Sequence, residues 1–298
     1  MIQIPSVTIG IPVYNEEKFV AETVMSALNQ TYKNIKIIIS DNCSTDQTFE
    51  ILQELVSGLE HVTLISQEKN ISASPNFSFV RNKANTEYFC WLGGHDLMQP
   101  TFIEKAINIF LNNEDVSLVY PMAEMIDEMG LPMNIAADSD IDTTQLNNID
   151  GPLKVVKNLH FCTAIHGLFK SDILKSYSIK TIIGADQPIL FHAAVHGKLY
   201  PLTEILYLRR QVRKENKNEV IKRYSDYGLK AKSDKNPFKE LCKEYLLYLW
   251  KEKNIGLKRR LILIRDVSSV IRKKYNSPYI HSLTDFLHFL RRMKKIIL

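Results

Sequence analysis

The sequence predicts an α/β protein in which helices flank a mostly parallel sheet, followed by a helical C-terminal extension. Short β-branched runs alternate with amphipathic helical segments four times between residues 7 and 92, and the links between them are short. From Arg209 onward, long helical stretches replace this alternation and glycine is scarce. We therefore expect a domain of residues 1–208 and an extension of residues 209–298.

Polar clusters follow the predicted strands of the first part. These strands are Val7–Tyr14, Asn34–Ser40, Val62–Ser66 and Thr86–Leu92. Three of them run directly into polar residues, namely Tyr14 to Glu16, Asp41 to Asp46, and His95 with Asp96. Because parallel strands end at one edge of a sheet, where ligands bind in open α/β folds, these clusters predict a binding site.

The rest of the chain predicts further strands and then helices. We expect a helix and a strand within 108–119, a strand and a helix within 161–174, a helix over 189–196 and a last strand over 199–208. The extension predicts helices over 239–251, 257–274 and 283–297.

Charge is divided unevenly along the chain, although the net charge is only +5. Residues 1–208 hold 13 Lys+Arg against 24 Asp+Glu, whereas residues 209–298 hold 25 against 9. The basic helical part suits an anionic membrane surface, or it packs on the acidic part of its own chain. No recognition motif for nucleic acid is found, so we expect no nucleic-acid partner.

Cysteine usage and hydropathy indicate a cytoplasmic protein. The four cysteines are scattered without C-x-x-C spacing, which argues against a disulfide framework or a cysteine-based zinc site. No stretch has the composition of a signal peptide, and none has the eighteen or so apolar residues of a membrane span.

Neither of the common nucleotide motifs follows the first strand. G-x-G-x-x-G and G-x-x-x-x-G-K-[ST] are both absent there. A nucleotide site must therefore use other residues, such as Tyr14 stacking on a base and Asp41 accepting a hydrogen bond from a base. Taken singly, these residues are also ordinary turn residues.

Taken together, two long segments resemble the family 2 glycosyltransferases. The segments are IPVYNEEKFVAETVMSALNQTYKNIKIIISDNCSTDQT and NISASPNFSFVRNKANTEYFCWLGGHDLMQP. The resemblance covers roughly residues 5–208, is strong to Pro100, and implies the GT-A fold and a nucleotide-sugar donor, a UDP-sugar above all. It implies that four residues line the nucleoside pocket and that a fifth, Arg81, lies near the nucleotide. The four pocket residues are Pro12, Tyr14, Glu16 and Asp41.

The sequence departs from the family at its metal motif. The family has D-x-D after the fourth strand, and this chain has Gly93-Gly94-His95-Asp96. One interpretation is a divalent metal, Mn²⁺ or Mg²⁺, held by His95 and Asp96, with imidazole favouring manganese. The alternatives are a metal-free donor site with Arg or Lys on the phosphates, or helix capping by Asp96.

The catalytic base implied by the resemblance is Asp186. An inverting transfer needs one base to take the proton of the acceptor hydroxyl, and the family places an acidic residue before a late helix. Asp186 is also a good helix N-cap two residues before Pro188. Three arginines, Arg209, Arg210 and Arg213, leave the last strand and are candidates to meet the diphosphate.

Histidines elsewhere give weaker signals. His192 and His196 have the i, i+4 spacing of metal ligands, but no Glu accompanies them as in H-E-x-x-H and their neighbours are apolar, which favours packing. His166, which precedes Gly167, is a candidate for approaching the acceptor.

The resemblance predicts a glycosyltransferase that moves a single sugar to a hydroxyl group with inversion. We expect the acceptor to be a glycan or a lipid-linked glycan of surface polysaccharide assembly, reached peripherally at the inner membrane face. Two alternatives remain: a nucleotidyltransferase, which would need a Gly-rich basic loop after the first strand, and a non-catalytic binding protein on a decayed scaffold.

Overall fold

The computed structural model describes residues 4–136, 139–212 and 238–275. Its strands are β1 (Val7–Val13), β2 (Ile35–Asp41), β3 (Val62–Ser66), β4 (Tyr88–Trp91), β5 (Leu97–Met98), β6 (Val116–Ile126), β7 (Pro132–Ala136), β8 (Leu168–Lys170) and β9 (Lys198–Arg210). Its helices are α1 (Val20–Leu28), α2 (Thr48–Leu55), α3 (Ala73–Lys83), α4 (Phe102–Asn112), α5 (Asp150–Asn158), α6 (Ser171–Ser176), α7 (Asp186–His196), α8 (Lys239–Lys251) and α9 (Leu257–Tyr275). A 3₁₀ turn, Thr163–His166, precedes β8.

The strands form one mixed sheet in the order β3-β2-β1-β4-β8-β6-β9-β5, with β7 paired to β6. The first four strands are parallel, as the alternation of strands and helices predicts. Strand β8 runs antiparallel to both β4 and β6, whereas β9 is parallel to β6. The two-residue β5 was not expected, because so short a segment carries no periodic signal. The antiparallel β7 was not expected either, because Pro132 and Asn134 are poor strand formers.

Strand β1 lies at the centre of the site-bearing part of the sheet. All seven of its residues are buried, which fits a strand covered by helices on both faces. A Cβ at Gly10 would lie 2.7 Å from the ring of Phe89, so glycine lets the aromatic ring of β4 pack over β1. The carboxyl ends of β1, β2 and β4 consequently lie side by side.

The last two described helices pack on the α/β body. Tyr245 of α8 meets Phe191 of α7 edge to face at 5.1 Å, and Leu246 and Leu249 are fully buried. Arg259 of α9 donates hydrogen bonds to backbone carbonyls of the body. The helices expected over 239–251 and 257–274 are confirmed, whereas 283–297 lies outside the described residues.

The basic segment was expected either to bind a membrane or to pack on the rest of the chain. Helices α8 and α9 pack on the rest of the chain. Strand β9 continues to Arg210, and the division at residue 208 stays a prediction. Within the described residues, no helix combines the length and the hydropathy needed to cross a bilayer.

Candidate active site

The loops after β1 and β2 interlock at the edge of the sheet. Asn15 has a φ of 55° and accepts a hydrogen bond from the backbone N–H of Thr45 at 2.8 Å. Its own N–H donates to the Ser44 hydroxyl at 2.9 Å. Asparagine tolerates this left-handed conformation better than other residues do. The turn leaves Tyr14 at the surface with 41% of its area exposed, and Pro12 buried in β1 below it.

Asp41 ends β2 directly beside Val13 of β1. Its side chain is 1% exposed and accepts hydrogen bonds from the backbone N–H and the hydroxyl of Ser44. Asn42 then connects to the third loop, since its amide oxygen accepts from the N–H of Ile71 at 2.8 Å. Three loops thus form one hydrogen-bonded wall beside Tyr14.

His95 lies against Glu16 across the same edge. The His95 Nδ1 is 2.9 Å from Glu16 Oε1. A carboxylate only accepts, so Nδ1 carries the proton and the lone pair of the neutral ring is on Nε2. The ring is 30% exposed. The structure therefore brings together four predicted residues, which are Tyr14, Glu16, Asp41 and His95.

Asp96 faces the opposite way, into the protein. Its carboxylate is buried and accepts hydrogen bonds from the Tyr207 hydroxyl at 2.7 Å and from the Arg210 N–H at 2.9 Å. It does not cap the helix that follows it, because α4 begins at Phe102. Asp96 instead fastens the loop after β4 to the end of β9.

The glycine at position 93 makes room for this carboxylate. A Cβ on Gly93 would lie 2.5 Å from Asp96 Oδ2, closer than any side chain tolerates. Asp96 thus fills the space that the side chain of residue 93 would take. The first aspartate of a D-x-D motif is sterically incompatible with this arrangement of Asp96.

Arg210 completes the same junction from β9. Its guanidinium donates to the carbonyls of His95 and Glu128 and forms an ion pair with Glu22 at 2.6 Å. The side chain is 2% exposed and lies 4.8 Å from the ring centroid of Phe19. All of these contacts are structural, so Arg210 is not placed to meet a diphosphate. Arg213 lies outside the described residues.

His166 stacks on the other face of this junction. Its ring lies parallel to that of Tyr207, with centroids 4.6 Å apart, and its Nδ1 is 3.2 Å from the carbonyl of Trp91. Burial lowers the pKa of His166 to about 4, although the nearby Asp96 acts in the opposite direction. His166 is therefore neutral at pH 7. Burial likewise raises the pKa of Tyr207 far above its ordinary value, which keeps its hydroxyl protonated as a donor to Asp96.

Asp186 is the first residue of α7, and its side chain is open to solvent. Many protein atoms nevertheless lie around it, and this desolvation raises the pKa of its carboxyl group. The guanidinium of Arg209 lowers that pKa in part and also acts on His166. Arg209 therefore acts electrostatically on both Asp186 and His166.

The carboxylate of Asp186 has no hydrogen-bond partner within the described ranges 4–136, 139–212 and 238–275. Helix α7 already begins at Asp186, so this residue does not act as the N-cap that the sequence also suggested.

Arg81 does not join the other predicted residues. It lies near the end of α3, at the amino edge of β4, and is 6% exposed. Its guanidinium donates to the carbonyls of Leu174 and Tyr177 at the end of α6, at 3.2 and 2.8 Å. This position holds α6 in place and gives no support to a nucleotide contact.

Sequence reasoning missed Tyr207 altogether. It stands in an ordinary strand pattern, and its partner Asp96 lies 111 residues earlier. The one available signal is the departure GGHD itself, since two glycines before a buried aspartate indicate a carboxylate folded back on its own loop.

Comparison with known proteins now assigns the chain. Residues 8–177 match the family described as glycosyl transferase family 2. The chain belongs to this family and is a glycosyltransferase. An uncharacterised glycosyltransferase of Haemophilus influenzae is 23% identical over 96% of this chain and 91% of its own length. A second, from Methanocaldococcus jannaschii, is 28% identical over 83% of this chain and 84% of its own.

Other relatives match over a smaller share. Chondroitin synthase of Escherichia coli is 34% identical over 43% of this chain, but over only 18% of its own length. Among solved structures, S. aureus TarS 1–349 in complex with UDP-GlcNAc has a TM-score of 0.64 at 15% identity, covering 90% of this chain and 73% of that one. This likeness confirms the predicted GT-A fold.

The Asp96 junction generates a stability prediction. Tyr207→Phe removes the hydroxyl that donates to a buried carboxylate, and we expect the free energy of unfolding to fall by about 1–3 kcal/mol, measured by urea denaturation. Tyr200→Phe is the matched control, because this tyrosine of the same strand makes no side-chain hydrogen bond with the described residues. Equal stability of the two variants would contradict the role given to the Tyr207 hydroxyl.

Proposed function

We propose that this glycosyltransferase moves one sugar from a nucleoside diphosphate, UDP above all, to a hydroxyl group with inversion at the anomeric carbon. The acceptor is a glycan or lipid-linked glycan of surface polysaccharide assembly. The family and the fold support sugar transfer from a nucleotide-sugar. The finer assignment comes from the contrast among the carboxylates of the cleft.

That contrast is the observation that carries the proposal. Asp41 and Asp96 are buried and accept hydrogen bonds from protein donors, and Glu16 contacts His95. Asp186 is open to solvent, with its carboxylate unengaged within the described residues. A general base must be within reach of the proton it takes, and its pKa must be raised towards the working pH. The exposure of Asp186 and its raised pKa support this role.

In the proposed reaction, Asp186 takes the proton of the acceptor hydroxyl as its oxygen attacks the anomeric carbon. The bond from that carbon to the diphosphate oxygen breaks on the opposite face, and the nucleoside diphosphate leaves with the electron pair. The positive charge of Arg209 acts electrostatically on Asp186 and lowers the pKa of its carboxyl group. It favours the ionised form of the carboxylate and is a candidate partner for the negative charge of the leaving group.

The nucleoside is proposed to bind at the three interlocked loops. Tyr14 offers an exposed ring for stacking, and Asp41 with Pro12 forms the floor below it. The preference for uridine rests on TarS, which has been solved with UDP and with UDP-GlcNAc.

The donor set at His95 fits a transition ion better than magnesium. Glu16 accepts a hydrogen bond from His95 Nδ1–H, an arrangement that orients a histidine for metal binding through Nε2. Both oxygens of Asp96 already accept hydrogen bonds from protein donors. We therefore propose that Mn²⁺ rather than Mg²⁺ contacts His95, with Asp96 holding the loop rather than serving as main ligand. A bound ion would neutralise charge on the diphosphate.

Peripheral membrane binding remains a prediction from the basic extension. On α9, Leu257 and Leu261 are 60% and 47% exposed beside the exposed Lys258 and Arg265. Co-sedimentation with vesicles containing phosphatidylglycerol tests it: binding that salt weakens supports the prediction, and no binding contradicts it.

Nucleotide binding by calorimetry tests the donor site. We expect UDP to bind more tightly than GDP, ADP or CDP, and Mn²⁺ to tighten that binding. Mn²⁺ should tighten UDP binding less in His95→Ala than in the wild type. We expect the two factors to differ about tenfold or more, equivalent to about 1.4 kcal/mol. His61→Ala is the matched control, because this exposed histidine precedes β3 at the opposite edge of the sheet.

Two results would overturn parts of this proposal. If Mn²⁺ strengthens binding equally in His95→Ala, the ion does not bind at His95. If no nucleoside diphosphate binds to the wild type at millimolar concentration, the donor site is wrong and the binding-protein alternative gains support.

Replacement of the proposed base tests the chemistry. Asp186→Asn keeps the shape but cannot take a proton, and we expect donor turnover to fall by about 10²-fold or more with donor affinity unchanged. Turnover is measured as release of nucleoside diphosphate, with water in the place of the acceptor. Asp172→Asn, an exposed aspartate in the first turn of α6, is the control. Full activity of Asp186→Asn would exclude Asp186 as the base.

The pH dependence of turnover gives a second test of the same carboxylate. The base works when deprotonated, so the rate falls as the pH falls through the pKa of Asp186. Since Arg209 lowers that pKa, Arg209→Gln should raise it and move the acid limb of the kcat profile to higher pH. An acid limb that stays in place, or moves to lower pH, would show that another group controls it.

A further inference from the structure

A second cluster of ionisable side chains lies outside the cleft, between α7 and the end of α8. It consists of His192 and His196, one turn apart on α7, and Glu252, which directly follows α8. One ligand atom of each lies within 4.8 Å of the others. His192 is fully buried, whereas the side chains of His196 and Glu252 are 17% and 10% exposed. The cluster is thus enclosed, with a narrow opening at its rim.

The Tyr248 hydroxyl lies among these groups. Its oxygen is 2.8 Å from His192 Nδ1 and 3.2 Å from His196 Nε2, and that Nε2 is 3.4 Å from Glu252 Oε2. Zinc binds nitrogen and oxygen at about 2.0–2.1 Å in a tetrahedron, which places neighbouring ligand atoms about 3.3 Å apart. These contacts already have nearly the required spacing.

The atoms of the cluster that face one another include several hydrogen-bond acceptors. His192 Nε2 is 2.8 Å from the carbonyl of Ile173, which only accepts, so Nε2 carries the ring proton and Nδ1 has a lone pair. The Tyr248 hydroxyl has one proton to donate, and two acceptors, His192 Nδ1 and the Glu252 carboxylate, lie beside it. A buried, electron-rich group of this kind is stabilised by a cation.

The arginines beside the cluster bind backbone carbonyls, and Arg260 donates to that of Glu252 at 3.1 Å. Arg259 acts electrostatically on Tyr248, but its guanidinium donates to the carbonyls of Asn148 and Val195. The ion pair recorded for Glu252 within the described residues is with His196.

The surroundings orient the three side chains for metal binding. The carbonyl of Ile173 fixes His192, and the N–H of Asn254 donates to Glu252 Oε1 at 2.9 Å, which leaves Oε2 facing His196. Such outer hydrogen bonds fix the tautomer and direction of metal ligands.

We propose that His192, His196 and Glu252 form a structural site for a divalent transition ion, zinc by the nature of its donors. The Tyr248 hydroxyl supplies the fourth donor. The ion would fasten α8 to α7, the helix whose first residue is Asp186. None of these ligands is among the residues proposed for sugar transfer, so the ion has a structural role.

Zinc titration of the full chain, freed of metal with a chelator, tests this site. We expect one Zn²⁺ per chain by calorimetry and a rise in Tm of about 5 °C at a zinc concentration 100-fold above Kd. Glu252→Gln keeps the shape and removes the charge, and we expect it to weaken zinc binding at least tenfold. His196→Gln should do the same. Glu240→Gln is the matched control, since this exposed carboxylate lies on the same helix.

Two results would overturn the proposal. The first is equal zinc affinity in wild type and Glu252→Gln, or no zinc binding at micromolar concentration. Either result would show that these side chains form a hydrogen-bond network and do not bind zinc. The second is loss of the zinc site in His95→Ala, which would place the ion in the cleft. Since nucleotide binding is measured separately, failure of the zinc site leaves the proposed function untouched, and the reverse also holds.

Discussion

The arrangement of the cleft depends on the buried carboxylate of Asp96. It joins two segments far apart in the chain, the loop after β4 and the end of β9, through the Tyr207 hydroxyl and the Arg210 N–H. Arg210 closes the same junction by donating to the His95 carbonyl. With these bonds in place, His95 faces Glu16, and Arg209 emerges beside Asp186. A buried carboxylate is costly unless it is fully hydrogen bonded, so this junction also favours one conformation over others.

The departure from the family's metal motif has a steric explanation in this junction. Asp96 occupies the volume that a side chain at position 93 would need, so a glycine there follows from the position of the carboxylate. In this structure the carboxylate of Asp96 joins the loop after β4 to β9. The imidazole of His95, oriented by Glu16, is the polar group left at the place where the motif's second aspartate would stand.

Local patterns in the sequence predicted the strands and helices that carry the cleft. β3 and α8 were predicted with their observed bounds, because their apolar periodicity and flanking turns are strong. The edge of the sheet that gathers Tyr14, Asp41 and His95 also followed, since parallel strands end together. Side-chain contacts between residues far apart in the sequence could not be predicted.

Three side chains show why such pairings escape sequence reasoning. The family resemblance placed Arg81 near the nucleotide, and its contacts with the carbonyls of Leu174 and Tyr177, more than 90 residues later, could not be foreseen. Tyr207 looked like any strand residue, and Glu252 stands 56 residues after His196. A single sequence carries local periodicity, but side-chain partners across the fold depend on tertiary packing, which leaves no spacing rule.

A crystal structure of the protein with UDP and Mn²⁺ tests the central claim most directly. We predict that uracil lies beside Tyr14 above Asp41, that the ion contacts His95, and that Asp96 keeps its hydrogen bonds to Tyr207 and Arg210. A nucleotide bound elsewhere, or an Asp96 carboxylate turned away from Tyr207 to hold the ion, would contradict the account.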